Sequence, residues 1–100
     1  MFFFLSIGSG FSQTNELIQA DKDFARFAYI DARKVYLKVV EDGYGSADIY
    51  KKLGDTYYWN SEYDNASKWY LRLVELFPEK TTAEYYLRAA QSLKTQGDYI

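Results

Sequence analysis

A chain of 100 residues holds at most one domain of ordinary size. Its 48% hydrophobic and 26% charged residues mark a folding globular chain rather than a disordered one. It contains no cysteine and no histidine. That excludes disulfides, thiolate metal sites and a cysteine nucleophile, and it removes the commonest general base and metal ligand. A net charge of −2 and an isoelectric point near 5.0 provide no basic footprint for nucleic acid or anionic lipid.

In chain order, Met1 to Gln13 is apolar, then rich in small residues, then polar from Thr14. This reads as the second half of an export signal, with the positive n-region missing. The run is far shorter than the ~20 apolar residues that span a bilayer. An uncleaved anchor and a buried N-terminal strand or helix are the competing readings. The folded part is expected over residues 14–100, with helices at about 14–27, 29–41, 47–59, 63–76 and 82–95. Six glycines and one proline are too few for a turn-rich sandwich or barrel. Ser46 is the expected N-cap of the third helix, and Thr81-Thr82-Ala83-Glu84 reads as a capping box for the fifth. Gly43 and Gly97 suit left-handed helix ends. Phe77 to Thr81 is the expected link between the fourth and fifth helices, and Glu79-Lys80-Thr81-Thr82 reads as an irregular loop.

The chain matches itself at an offset of 34, which brings Tyr29-Ile30-Asp31-Ala32 onto Tyr63-Asp64-Asn65-Ala66 and Tyr36 onto Tyr70. A third copy of the corner starts at Gly97-Asp98-Tyr99, offset by 36, with the additional length falling in Glu79-Lys80-Thr81-Thr82. A period of about 34 is that of helix–turn–helix solenoids. The middle copy (47–80) carries Tyr50, Leu53, Gly54 and Tyr57 on its first helix, then Ala66, Tyr70, Leu73 and the stop Pro78. Gly54 and Ala66 are small where two helices cross closely. Leu53, Tyr57 and Tyr70 are large where the space between hairpins must be filled. The first copy (about 13–46) keeps Ala20, Ala32, Tyr36 and Val39; Phe24 and Phe27 are expected to supply the packing that Asp23 cannot. The third copy (83–100) keeps Tyr86, Ala89, Ala90 and Leu93, and its second helix is only begun at Ile100, which predicts a longer protein. The expected fold class is all-α: an α-solenoid of antiparallel hairpins with right-handed superhelical stacking.

No catalytic grouping emerges. Without His or Cys the familiar nucleophilic triads cannot be built. Asp21-Lys22-Asp23 lacks the remaining ligands and the glycine of a calcium loop. The chain is therefore expected to have no catalytic, cofactor-binding or metal site, and to be no enzyme. The remaining candidate is the groove lined by the first helix of each hairpin. The register places Asp48, Lys51, Lys52, Asp55, Tyr58 and Trp59 there from the second copy, with Glu84, Arg88, Gln91 and Lys94 from the third. Lys51, Arg88 and Lys94 are candidates for a carboxylate or acidic peptide, with Asp55 and Gln91 beside them and Tyr58 and Trp59 as flat walls. Trp69, on a second helix, is expected on the convex side or against a following module. The expected partner is a protein or peptide in the groove, not nucleic acid, and no direct membrane span is expected.

The repeat motifs resemble the tetratricopeptide pattern. With the Phe11-Ser12-Gln13 exit, Ala20-Asp21-Lys22, Lys52-Leu53-Gly54-Asp55 and Glu84-Tyr85-Tyr86-Leu87-Arg88-Ala89-Ala90, the chain resembles the N-terminal repeat region of OmpA-family envelope proteins of Bacteroidota-type bacteria. In that family a WD40-like propeller, a carboxypeptidase-regulatory-like domain and an OmpA-like peptidoglycan-binding domain follow. The resemblance implies an exported scaffold in the periplasm or at the outer membrane, with outer-membrane or type IX secretion partners. Any hold on peptidoglycan would come through a downstream module outside this sequence. Asp55 stands where the chaperone-type clamp has asparagine, which argues against that mode of capture. The alternatives are a cytosolic adaptor of co-chaperone type and the regulatory arm of a larger enzyme.

Overall fold

The computed structural model describes the backbone of residues 2–97 and the side chains of residues 14–95. Five α-helices follow one another: α1 (Phe2–Ala25), α2 (Tyr29–Glu41), α3 (Ala47–Tyr58), α4 (Tyr63–Leu76) and α5 (Ala83–Gly97). A short 3-10 turn, Pro78–Lys80, precedes α5. Each helix packs on the next, and α3 also touches α5 directly, so α1, α3 and α5 form one layer and α2 and α4 the other. This is an all-α helical-repeat fold.

The corners are made by backbone geometry that repeats. After α1, Ala28 N–H donates to Asp23 O at 2.8 Å and Phe27 N–H to Phe24 O at 3.0 Å. After α3, Glu62 N–H donates to Tyr57 O at 2.9 Å and Ser61 N–H to Tyr58 O at 3.0 Å. Both are Schellman closures that satisfy the last carbonyls of a helix. They hold Phe27 (φ 68°) and Ser61 (φ 61°), equivalent positions of successive repeats, in the left-handed region that ordinary side chains avoid. The third closure, after α2, uses Gly43 at φ 90°, where a side chain would be strained. The Ser46 hydroxyl accepts Ile49 N–H at 3.3 Å and caps α3 as expected.

Ala32, Tyr36, Leu53, Ala66, Tyr70 and Leu73 are all fully buried, so the small-and-large code of the repeat is the core. At the Gly54 crossing the helices are so close that a Cβ there would lie 2.2 Å from a ring carbon of Tyr70.

Several expectations are corrected. The first helix starts at Phe2 rather than near Thr14; the export-signal reading of residues 1–13 rests on side chains outside the described residues. Phe24 packs on the core, but Phe27 is 76% exposed, because the left-handed corner turns it outward. Asp23 is itself buried, held by Gln19 and Arg26. Trp69, expected to pack on the convex side or against a following module, is half-buried on α4 against the core, 5.8 Å from the Tyr50 ring. The capping box is one residue out of register. Thr82, not Thr81, holds the cap position, its carbonyl accepting Tyr86 N–H at 3.1 Å, while the Thr81 hydroxyl turns back to Phe77 O at 2.8 Å. Part of the supposedly irregular stretch is the Pro78–Lys80 turn.

Candidate functional site

The α1–α3–α5 face carries a polar cluster that occurs twice. In the first, the Tyr36 hydroxyl donates to Asp21 Oδ1 at 2.6 Å. Lys52 Nζ meets the same oxygen at 3.0 Å and Asp48 at 2.9 Å. In the second, the Tyr70 hydroxyl donates to Asp55 Oδ1 at 2.6 Å, and Arg88 Nη1 reaches that oxygen at 2.7 Å. Arg88 Nη2 pairs with Glu84 one turn back. Asp21 and Tyr36 align with Asp55 and Tyr70 at the offset of 34; Asp48 and Lys52 align with Glu84 and Arg88 at the offset of 36. The difference is taken up between α4 and α5, so both clasps are register-equivalent. Each joins a carboxylate on one first helix, a tyrosine on the second helix of that hairpin, and a cation on the next first helix.

The second clasp is the tighter. Asp55 is 4% exposed and takes a further hydrogen bond from the Tyr85 hydroxyl at 2.8 Å. Burial pushes its carboxyl above the ordinary range, against the pull of the Tyr70 and Tyr85 hydroxyls and the Arg88 guanidinium. Burial also raises Tyr36, Tyr70 and Tyr85 well above an ordinary tyrosine, and the adjoining carboxylates add to this. Burial works against the Arg88 charge, but the Asp55 carboxylate more than offsets it, so the guanidinium is more basic than usual.

Five of the seven expected site residues come together: Asp55, Tyr58, Trp59, Arg88 and Gln91. The Arg88 guanidinium carbon lies 4.9 Å from the Tyr85 ring centre, 5.2 Å from Trp59 and 5.8 Å from Tyr58. Tyr58 meets Trp59 edge-on at 5.0 Å and donates its hydroxyl to Gln91 Oε1 at 2.7 Å. Trp59 remains 53% exposed. Lys51 Nζ lies 5.4 Å from the Tyr85 ring centre and borders an open cleft of about 470 Å³ between the start of α3 and the α4–α5 connection. Lys94 is exposed on α5, one turn beyond Gln91, with no contact to this cluster shown. Two roles differ from expectation. Asp55 is a buried anchor rather than a groove wall, and the carboxylates that Arg88 grips are the chain's own. The charges of Asp48, Lys52 and Glu84 are likewise spent on ion pairs.

Sequence reasoning missed Arg33. Its guanidinium lies flat on Tyr57 at 3.7 Å, donates to Thr56 O at 2.8 Å and pairs with Glu62 at 3.0 Å, tying α2 to α3 and to the start of α4. Its counterpart in the next repeat is Ser67, so the repeat carries no signal for it.

Among the described residues no group of His, Cys, Asp or Glu side chains is placed to hold a metal ion, and no helix is long and apolar enough to cross a membrane. What fold and site define is a class, the helical-repeat proteins built from stacked hairpins. No family model matches the chain, and no curated protein matches it either.

Proposed function

We propose that this chain is a non-enzymatic scaffold of tetratricopeptide type that holds a protein or peptide partner along its α1–α3–α5 face. The observation that carries the reading is Trp59, 53% exposed yet fixed by Tyr58 and Arg88 at the end of α3, while Lys51 borders the cleft at the start of the same helix. A large aromatic held rigid at a surface loses little entropy on binding, which is how interface anchors work. Lys51 and Lys94 supply positive charge that suits an acidic partner. The leader-like residues 1–13 and the resemblance to OmpA-family envelope proteins support an exported location at the periplasm or outer membrane, with secretion-system or outer-membrane partners. A second reading, a cytosolic adaptor, is favoured by one observation: α1 runs unbroken from Phe2 into the repeat.

Capture of partners from an envelope extract tests the reading. Lys51→Glu combined with Trp59→Ala should abolish capture while helicity is kept, and unchanged capture would reject the face. The mass of the mature N-terminus separates the two locations: loss of the leader supports export, and an intact Met1 in the cytosol supports the adaptor.

A further inference from the structure

The α3–α4 corner ends its helix one residue earlier than the α1–α2 corner does, and Trp59 stands at that point. In the first corner the helix ladder runs on, with Arg26 N–H donating to Lys22 O at 3.2 Å. At the equivalent place in the second, Asn60 N–H donates to Tyr57 O at 3.1 Å, a tighter turn that releases Thr56 O from the ladder. Arg33, from the preceding hairpin, takes that carbonyl at 2.8 Å. Trp59 is accordingly the C-cap of α3, whereas Ala25, 34 residues earlier, is still inside α1.

The same guanidinium holds both flanks of the corner. On one side Nε donates to the Thr56 hydroxyl at 3.2 Å, and the plane stacks on Tyr57 at 3.7 Å. On the other, Nη2 meets Glu62 at 3.0 Å. Between these flanks Ser61 stays at φ 61°, a conformation that a residue other than glycine keeps only where its surroundings enforce it. The repeat as such does not need this arginine. At the next joint Ser67 and Leu93 stand where Arg33 and Tyr57 stand, so cation and ring are absent together. The Trp59 corner is thus fixed from α2 by Arg33, while Arg88 on α5 lies 5.2 Å from the Trp59 ring.

We infer that Arg33 is the positioning residue for Trp59. It fixes the backbone on which the exposed indole stands, and so pre-organises the partner-binding anchor without touching it. What Trp59 meets rests on the scaffold reading proposed above; how Trp59 is held does not, and is tested with no partner present. Lysine is no substitute, because an ammonium keeps the charge opposite Glu62 but cannot lie flat on a ring and reach Thr56 O at once.

Nitrogen-15 NMR relaxation of the whole labelled chain tests this. In Arg33→Lys and in Arg33→Gln the order parameters of the Trp59 and Asn60 amides should fall from about 0.85 toward 0.6, with helical circular dichroism kept. Tyr57→Leu, which installs the residue of the next joint, should loosen the same two amides. Ser46→Ala weakens the opposite end of α3 and should leave them rigid, which separates positioning from a general loss of stability. Amides that stay rigid in the Arg33 variants, or that loosen equally in Ser46→Ala, would overturn the inference. If the Arg33 variants loosen Trp59 while the Lys51→Glu, Trp59→Ala chain still captures its partner, the positioning role stands and the partner-binding reading falls.

Discussion

Asp55 shows what one buried carboxylate contributes to a repeat. It accepts from Tyr70 on α4 and from Tyr85 and Arg88 on α5, so a single side chain on α3 fixes two neighbours. Removing one partner of a buried pair leaves the other charge uncompensated. Arg88→Ala should therefore cost about 3 kcal/mol in denaturant unfolding, with part of the loss restored in the Asp55→Asn, Arg88→Ala double variant. The pH dependence has a definite sign. Burial raises the folded-state pKa of Asp55, so its contribution is full below the unfolded value of about 3.9 and declines as pH rises through the folded one. The stability of the natural chain relative to Asp55→Asn should fall over that window. The tyrosines follow the same logic at high pH. Tyr36, Tyr70 and Tyr85 are raised, so their contribution is complete below about pH 10 and is lost as pH climbs through their folded values. In an alkaline titration followed by tyrosinate absorbance, these three should ionise only as helicity is lost. Ionisation of all 11 tyrosines before any helix melts would contradict the burial.

At the scale of elements, each hairpin depends on how closely its helices approach. Gly54→Ala puts a methyl group against a tyrosine ring whose hydroxyl is pinned to Asp55. Overpacking should outweigh the gain in helix propensity and cost about 1–3 kcal/mol by thermal or denaturant unfolding. At the start of α3, Ser46→Ala should cost about 1 kcal/mol by the same measurement, and Ser46→Gly only a few tenths. Much of this level is legible from the sequence, because periodicity and side-chain size carry it. Tyr36 and Tyr70 align at the repeat offset and both prove fully buried; the bounds of α2 and α4 agree with expectation to the residue. The candidate site was legible only in part. Asp21 and Asp55 also align, but a carboxylate on a first helix reads as a groove residue until its tyrosine is seen across the hairpin. Arg33 has no counterpart to betray it, and Phe27 reads as core because an exposed, left-handed phenylalanine follows from corner geometry that no periodicity encodes.

At the scale of the whole molecule, the first helices form one face and the clasps lock them in line. Stacked repeats gain stability mainly from nearest neighbours. Here Lys52–Asp21 joins α3 to α1 and Arg88–Asp55 joins α5 to α3, so the spacing of that face is set by charge as well as by packing. With those charges consumed internally, the proposed scaffold reading leaves Trp59, at the end of α3, and Lys51, on the cleft at its start, as the groups to meet a partner. The polar groups of the two clasps thus serve to hold the helices in line.

The most direct test of partner binding on that face is an amide NMR titration of the isotope-labelled chain with a captured partner. The account predicts shifts concentrated at Lys51, Trp59, Gln91 and Lys94, with the indole N–H of Trp59 among the largest. Shifts confined to the exposed residues of α2 and α4, with Trp59 unmoved, would contradict it.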